Sequence, residues 1–325
     1  MKIVYLGSDV ALPVLKKLYE TRHEILAVVC GIDKVNARGN KIIPSKTKEF
    51  ALSKNLKVLQ YKKIRVEGYE DLKALEPDLI ISAAFGQIIS QEIIDISKVA
   101  TLNVHPSLLP KYRGPSPIIS AIASGDKITG VSIMKMALEV DAGPVCMQRE
   151  VEIKENENAG QLTERLFNLG ADMLLETIEN IENGKAVFEE QNSEQATLCK
   201  MVKAEDAALD FNLTCKELSN KVRAYNPTPV CSFVYNCEQY KVFECDFALL
   251  ESEKYSQICE YIGKNTFKNG EIVFAKSKPF GLVIKTSDGF FLPKVIQAPN
   301  GKVMDIKSFL NGKSFTNGEI VWKKV

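Results

Sequence analysis

Asn103 and His105 lie two residues apart in the stretch Thr101–Pro117, TLNVHPSLLPKYRGPSP. It opens as a short β-branched, apolar run and breaks into a loop punctuated by Pro106, Pro110, Gly114, Pro115 and Pro117. On a strand, a spacing of two aims both side chains to one side of the sheet. Polar groups gathered at the carboxyl end of a strand are how open α/β sheets offer chemistry to a ligand. A third polar group, Asp141, sits in the turn-like Glu139–Val145, EVDAGPV. A neutral imidazole can take a proton from an attacking amine and return it to a leaving nitrogen. An Asn amide can donate to an oxygen that becomes negative as a carbonyl turns tetrahedral. A nearby carboxylate can orient the histidine or raise its basicity. Together the three suit acyl or formyl transfer between nitrogens and require neither a metal nor a covalent intermediate.

Spacing alone leaves each residue a structural reading as well. A histidine before a proline at a strand end can be a satisfied core residue. Asn103 can cap loop backbone, and Asp141 in D-A-G-P is an ordinary turn residue.

The elements that must place these groups read as α/β. Lys2–Leu6, Ile25–Val29, Leu56–Leu59 and Leu79–Ala83 have the pattern of buried strands, and helical periodicity runs through Leu12–Tyr19 and Thr47–Lys54. Strands alternating with helices at this spacing predict a doubly wound, mostly parallel, Rossmann-like sheet. Gly130–Met136 alternates as a strand, and Gln161–Ile181 is a long amphipathic helix. The first turn offers Gly7 alone rather than G-x-G-x-x-G, and no Walker loop or G-x-S-x-G occurs. The loop Asp33–Ser45, DKVNARGNKIIPS, carries Lys34, Arg38 and Lys41 without apolar periodicity, as a binding loop or a solvated basic loop would.

Periodicity fades near Phe188 and the pattern then changes. Leu213–Ala224 reads as a helix, and Ser232–Tyr235, Tyr240–Phe243, Glu271–Ala275, Gly281–Thr286 and Phe290–Val295 read as short strands. The expectation is a catalytic domain over 1–187, a linker over 188–204 and a smaller all-β, OB-like barrel over 205–325.

Composition sets wide limits. The 325 residues are 45% hydrophobic and 26% charged, as in an ordinary globular protein. A net charge of +1 means that an anionic partner must be met by a local patch. The eight cysteines form no CxxC pair and read as small buried hydrophobes rather than as metal ligands. No apolar run approaches the roughly 18–20 residues of a membrane span. The N-terminus MKIVYLGSDV runs straight into a strand pattern, so a cytoplasmic protein is expected, and a monomer is expected separately.

The string N-x-H-P-S-L-L-P-x-x-x-G, followed by G-V-S-I-M-x-M and then D-A-G, resembles the folate-dependent formyltransferase superfamily. The resemblance implies that Asn103, His105 and Asp141 are the catalytic trio and that 10-formyltetrahydrofolate is the formyl donor. Ala83–Gly86 resembles the segment lining the folate pocket, with Phe85 where Tyr is more usual. The donor site is accordingly expected at Phe85, Gly86, Ser107, Leu108, Leu109 and Pro110. Within the superfamily, Ala37–Ser45 resembles the basic loop of the enzymes whose acceptor is initiator methionyl-tRNA. That similarity implies tRNA contacts from Lys34, Arg38 and Lys41. K-x-x-K-A-E-D-A-A-L-D-F (200–211) and V-R-A-Y-N-P-T-P (222–229) resemble the approach to the same enzymes' C-terminal barrel. Three positions depart from the pattern. Val35-Asn36 stands for prolines, Asn226-Pro227-Thr228-Pro229 for N-P-W-P, and Gly114-Pro115-Ser116-Pro117 for G-A-A-P. Amino-sugar nucleotide formyltransferases share the catalytic loop, but the R-G-x-K loop and N-P-x-P favour tRNA.

Overall fold

The computed structural model describes residues 1–35, 42–264 and 266–322. Its contacts divide the chain into two compact units. The first comprises Met1–Pro117, Ile128–Glu152 and Gln161–Lys200; the second comprises Ile118–Lys127, Ile153–Gly160 and the chain from Met201 onward.

The first unit is built on a seven-stranded sheet. In chain order its strands are β1 (Lys2–Gly7), β2 (Glu24–Cys30), β5 (Val58–Gln60), β6 (Leu79–Ala83), β7 (Ala100–His105), β8 (Ile128–Lys135) and β9 (Val145–Glu152). A small hairpin, β3 (Lys34–Val35) and β4 (Ile42–Ile43), lies between β2 and β5 in sequence. The spatial order is β5-β2-β1-β6-β7-β8-β9. The strands from β5 to β7 are parallel, and β8 and β9 are added antiparallel. The mostly parallel, doubly wound sheet expected from the sequence is therefore present. Every residue of β6 is buried, as suits a strand covered on both faces.

The long helix spans Ala159–Glu182 and buries Leu162, Leu166, Met173, Leu174 and Ile178. A Cβ on its Gly170 would come within 2.6 Å of Val104 and 3.3 Å of Val131. Val104 alternates with Asn103 and His105, so the helix rests on the rear of the strand that carries them. Glycine permits that close approach.

The second unit holds an antiparallel sheet with strands β10 (Cys231–Tyr235), β11 (Glu238–Leu249), β12 (Ile272–Lys276), β13 (Gly281–Lys285), β14 (Gly289–Gln297) and β15 (Val303–Asp305). The order is β10-β11-β14-β13-β12, with β15 on β14. Trp322 pairs with Val234 on one edge and Ile320 with Glu271 beside the other, which draws the sheet toward closure. Phe233 stacks on Tyr240 at 5.7 Å inside a core with Phe211, Phe291, Phe309 and Phe315. Burial pushes the Cys231 thiol up to about 12, so it acts as packing.

Several elements differ from the sequence expectation, three of them for clear physical reasons. Strand β9 was not anticipated because it is a half-exposed outer strand rich in polar residues, without clean alternation. Strand β11 runs twelve residues, far beyond Tyr240–Phe243, because register shifts near Val242 and Cys245 break its period. The helix Glu253–Ile262, capped by Ser252 and ended by Gly263 at φ +69°, interrupts what reads as continuous β structure. No helix among the described residues is long and apolar enough to cross a membrane.

Candidate active site

Strand β7 sits between β6 and β8, with Asn103 opposite Ser82 and Met134 and His105 opposite Ser132. The pleat sends Asn103 and His105 to the face opposite Val104. His105 is only 4% exposed, whereas Asn103 is half-buried. Asp141 reaches the same point from the turn between β8 and β9. Its Oδ2 lies 3.6 Å from His105 Nδ1, and its Oδ1 accepts from Asn103 Nδ2 at 3.4 Å. The structure thus brings all three expected catalytic residues together.

The imidazole has acceptors on both sides. Nε2 faces the carbonyl of Tyr112 at 3.0 Å, and Nδ1 faces the Asp141 carboxylate. A neutral ring carries one N–H and serves one of them; a proton taken up on the other nitrogen completes the second bond. That is the hydrogen-bonding pattern of a proton relay.

The loop after β7 is braced from below. Ser132 Oγ on β8 donates to Ser107 O at 2.6 Å and accepts from Leu109 N at 3.1 Å. Gln148 on β9 donates to Leu109 O and to Ser132 Oγ, both at 2.8 Å. Ser107 and Leu109 are buried by this network, and the Ser107 hydroxyl donates to Lys111 O. Leu108 packs over Gly130, where a Cβ would come within 2.5 Å of it. Pro110, the last of the four expected donor-site residues in this loop, follows a cis peptide bond.

Phe85 and Gly86 follow the neighbouring parallel strand β6, so their turn leaves the sheet beside that of the trio. Ala84 at φ +48° and Gly86 at φ +77° place Phe85 in the core with Ile89, leaving Ala84 and Gly86 exposed. A Cβ on Gly86 would meet nothing within 4 Å, so the backbone angle rather than lack of room calls for glycine.

Asp141 is held by residues the sequence reading did not single out. Its Oδ2 accepts the Gly114 N–H at 2.8 Å, and its backbone is left-handed at φ +53°. Gln191 Nε2 donates to the carbonyls of Asp141 at 2.8 Å and Gly143 at 2.7 Å. A Cβ on Gly143 would lie 2.0 Å from Lys135 O, which excludes any side chain there. The strap Glu189–Cys199 is bonded along its length: Glu189 to Val145, Thr197 to Tyr112 and Arg113, and Cys199 to Arg113. Sequence offers no signal for these bonds, because the segment lacks periodicity and its partners are distant.

Of the expected basic contacts, Lys34 is exposed on the β3–β4 hairpin, while Arg38 and Lys41 lie outside the described residues. The hairpin base is fixed: Asp33 pairs with Lys48 at 2.6 Å and accepts from Gln60 at 3.0 Å. Hydrogen bonds from Lys48, then from Gln60, hold the Asp33 carboxyl below the usual carboxylate range. Val35, Ile42 and Ile43 are exposed beside Lys34. No cluster of three or more metal-ligating side chains occurs among the described residues.

The Formyl transferase family matches residues 1–178, and the Formyl transferase, C-terminal domain family matches residues 201–314. A methionyl-tRNA formyltransferase of Fusobacterium nucleatum is 36% identical over 321 residues, covering 98% of this chain and 99% of its own. One from Clostridioides difficile is 36% identical over 323 residues, covering 99% and 100%. Among solved structures, HypX from Aquifex aeolicus in complex with tetrahydrofolic acid is similar over 100% of this chain and 51% of its own, with a TM-score of 0.65 at 19% identity. The N-formyltransferase from Helicobacter canadensis, in complex with folinic acid and dTDP-3-aminofucose, has a TM-score of 0.64 at 18% identity over 90% of this chain and 98% of its own. Those two likenesses concern the fold. The near-complete match to curated relatives, joined to the Asn103–His105–Asp141 cluster, places this chain in the methionyl-tRNA formyltransferase family.

Proposed function

We propose that the chain transfers a formyl group from 10-formyltetrahydrofolate to the α-amino group of initiator methionyl-tRNA, acting as a cytoplasmic monomer. The observation that carries this reading is the convergence of Asn103, His105 and Asp141 at one strand end, in a chain with full-length relatives of that name. The donor, when bound, supplies a formyl carbon carried on nitrogen. Phe85, Gly86, Ser107, Leu108, Leu109 and Pro110 would hold it. The turn at Ala84–Gly86 offers exposed backbone over the core-packed Phe85, a chemistry that suits a heterocycle with an amide-like edge.

Asn103 has a second amide N–H beyond the one turned to Asp141, and this donates to the formyl oxygen as negative charge develops. With its Nε2–H directed at Tyr112 O, His105 presents Nδ1 as the basic nitrogen. His105 takes the proton released by the attacking amine and delivers it to the leaving nitrogen. The Tyr112 carbonyl keeps the ring in that tautomer, and Asp141 faces the positive charge the ring gains. Each of the two neighbouring functions depends on the third.

Lys34, Arg38 and Lys41 would pair with acceptor phosphates, giving affinity that falls with salt. The exposed aliphatic side chains of Val35 and Ile42, which share one face of the hairpin, would offer apolar contact to unpaired bases at an acceptor end. The 205–325 domain would hold the stem. Radiolabelled formyl transfer onto charged initiator and elongator methionyl-tRNA, with an amino-sugar nucleotide offered in parallel, tests the reading. Label on the initiator species supports it; label on the sugar nucleotide alone overturns it.

A further inference from the structure

Arg113 is 3% exposed, yet it is a charged residue on a loop. Its backbone is fixed by Thr197 O and Cys199 N, both at 2.8 Å. Its Nε donates to Gln191 Oε1 at 3.0 Å, and its Nη1 lies 3.4 Å from the exposed Glu139. Nη2 has no hydrogen-bond partner among the described residues. Burying a guanidinium on such terms is costly, so packing alone does not account for the residue.

Gln191 connects this cation to the trio. Its oxygen faces Arg113, and its two N–H groups serve the carbonyls of Asp141 and Gly143. The amide orientation is thereby fixed, since a flipped amide would set its oxygen against two carbonyls. On the other side, the Asp141 carboxylate accepts from Gly114 N, the peptide next to Arg113. The side chain of Asp141 is thus tied to Gly114 and its backbone to Gln191, and Arg113, bonded to Gln191 and next to Gly114 in the chain, closes the ring. A left-handed backbone at a residue other than glycine persists only where its surroundings over-determine it.

We propose that Arg113 and Gln191 are positioning residues that set the Asp141 turn, and through it the placement of the carboxylate on His105 and Asn103. The inference rests on the proposed role of Asp141. Lysine cannot replace Arg113, because it lacks an Nε–H in a fixed plane.

Steady-state kinetics and melting of the full chain with Gln191→Ala and Asp141→Ala, singly and together, test it. A misplacement of about 1 Å can cost roughly 100-fold, so Gln191→Ala should lower kcat by about 10–100-fold. The KM values for methionyl-tRNA and the folate donor should stay within about threefold, because only the transition-state arrangement is lost. On the Asp141→Ala background, Gln191→Ala should cost nothing further. Gln191→Leu, close in volume, repeats the measurement should the alanine variant melt early. A normal kcat in both Gln191 variants, or a loss that multiplies with that of Asp141→Ala, overturns the inference. Normal turnover in Asp141→Ala overturns the reading of the trio itself.

Discussion

Strand β7 and the strap Glu189–Cys199 both hold groups of the proposed catalytic site in place, by opposite means. On β7 the placement is local: the pleat puts Asn103 and His105 on one face, and the ladder to β6 and β8 keeps it there. In the strap it is wholly tertiary. Gln191, Thr197 and Cys199 lie outside any strand or α-helix and act through individual hydrogen bonds to loops some 50 to 86 residues away in sequence. On the proposed reading the strand supplies chemistry and the strap supplies the geometry that makes Asp141 useful to it. The difference predicts a steep fall in effect from one region to the other.

The largest losses belong to the strand. Replacing His105 or Asn103 by Ala should reduce single-turnover formylation by about 10²–10⁴-fold, the usual scale for a proton-transfer or oxyanion group. Methionyl-tRNA affinity should hold, and a near-normal rate in His105→Ala would remove it from the chemistry. Next comes Gly143→Ala, whose methyl would meet Lys135 O at 2.0 Å. We expect a stability loss of about 1–3 kcal/mol in melting, with turnover falling more than in any strap variant that leaves the turn intact. Thr197→Val removes the oxygen that accepts the Tyr112 N–H. A stability cost of about 0.5–1.5 kcal/mol, with kcat down severalfold at most, would place it below Gln191. A kcat loss equal to that of His105→Ala would erase the contrast between strand and strap.

The smallest effect is a surface counterpart of the strap. Lys48 and Gln60 lower the native pKa of Asp33, so the pair stabilises the folded chain above the unfolded carboxylate pKa of about 4. That contribution is lost as pH falls through the lowered native value. The melting difference between wild type and Asp33→Asn should therefore be constant at neutral pH and vanish in acid. A difference that grew toward acid would have the wrong sign.

Legibility followed the same division. Asn103, His105 and the parallel sheet were readable because strand alternation and turn residues are local properties of the chain. The strap was not, since Gln191 becomes informative only when folding carries it to Asp141 and Arg113. Arg113 lay in the quoted motif, but nothing in its neighbours signals that its side chain is buried. Strand β9 and the helix Glu253–Ile262 escaped for a related reason. The former is held by β8, and the latter lies in a stretch that otherwise reads as β structure.

The second unit has one more consequence, for inheritance rather than mechanism. It is discontinuous in sequence. Segments 118–127 and 153–160 belong to it, although residues of the first unit lie between and around them. Arg223 donates to Lys154 O at 3.2 Å and Glu157 O at 3.0 Å, and Gly160 N donates to Asn226 O at 3.1 Å. A genetic crossover near residue 200 would transplant the barrel without those two segments, leaving Arg223 and Asn226 facing whatever the new host supplied. Exchange of this unit between lineages would thus demand three compatible pieces at once, a barrier to shuffling that a single linker does not impose.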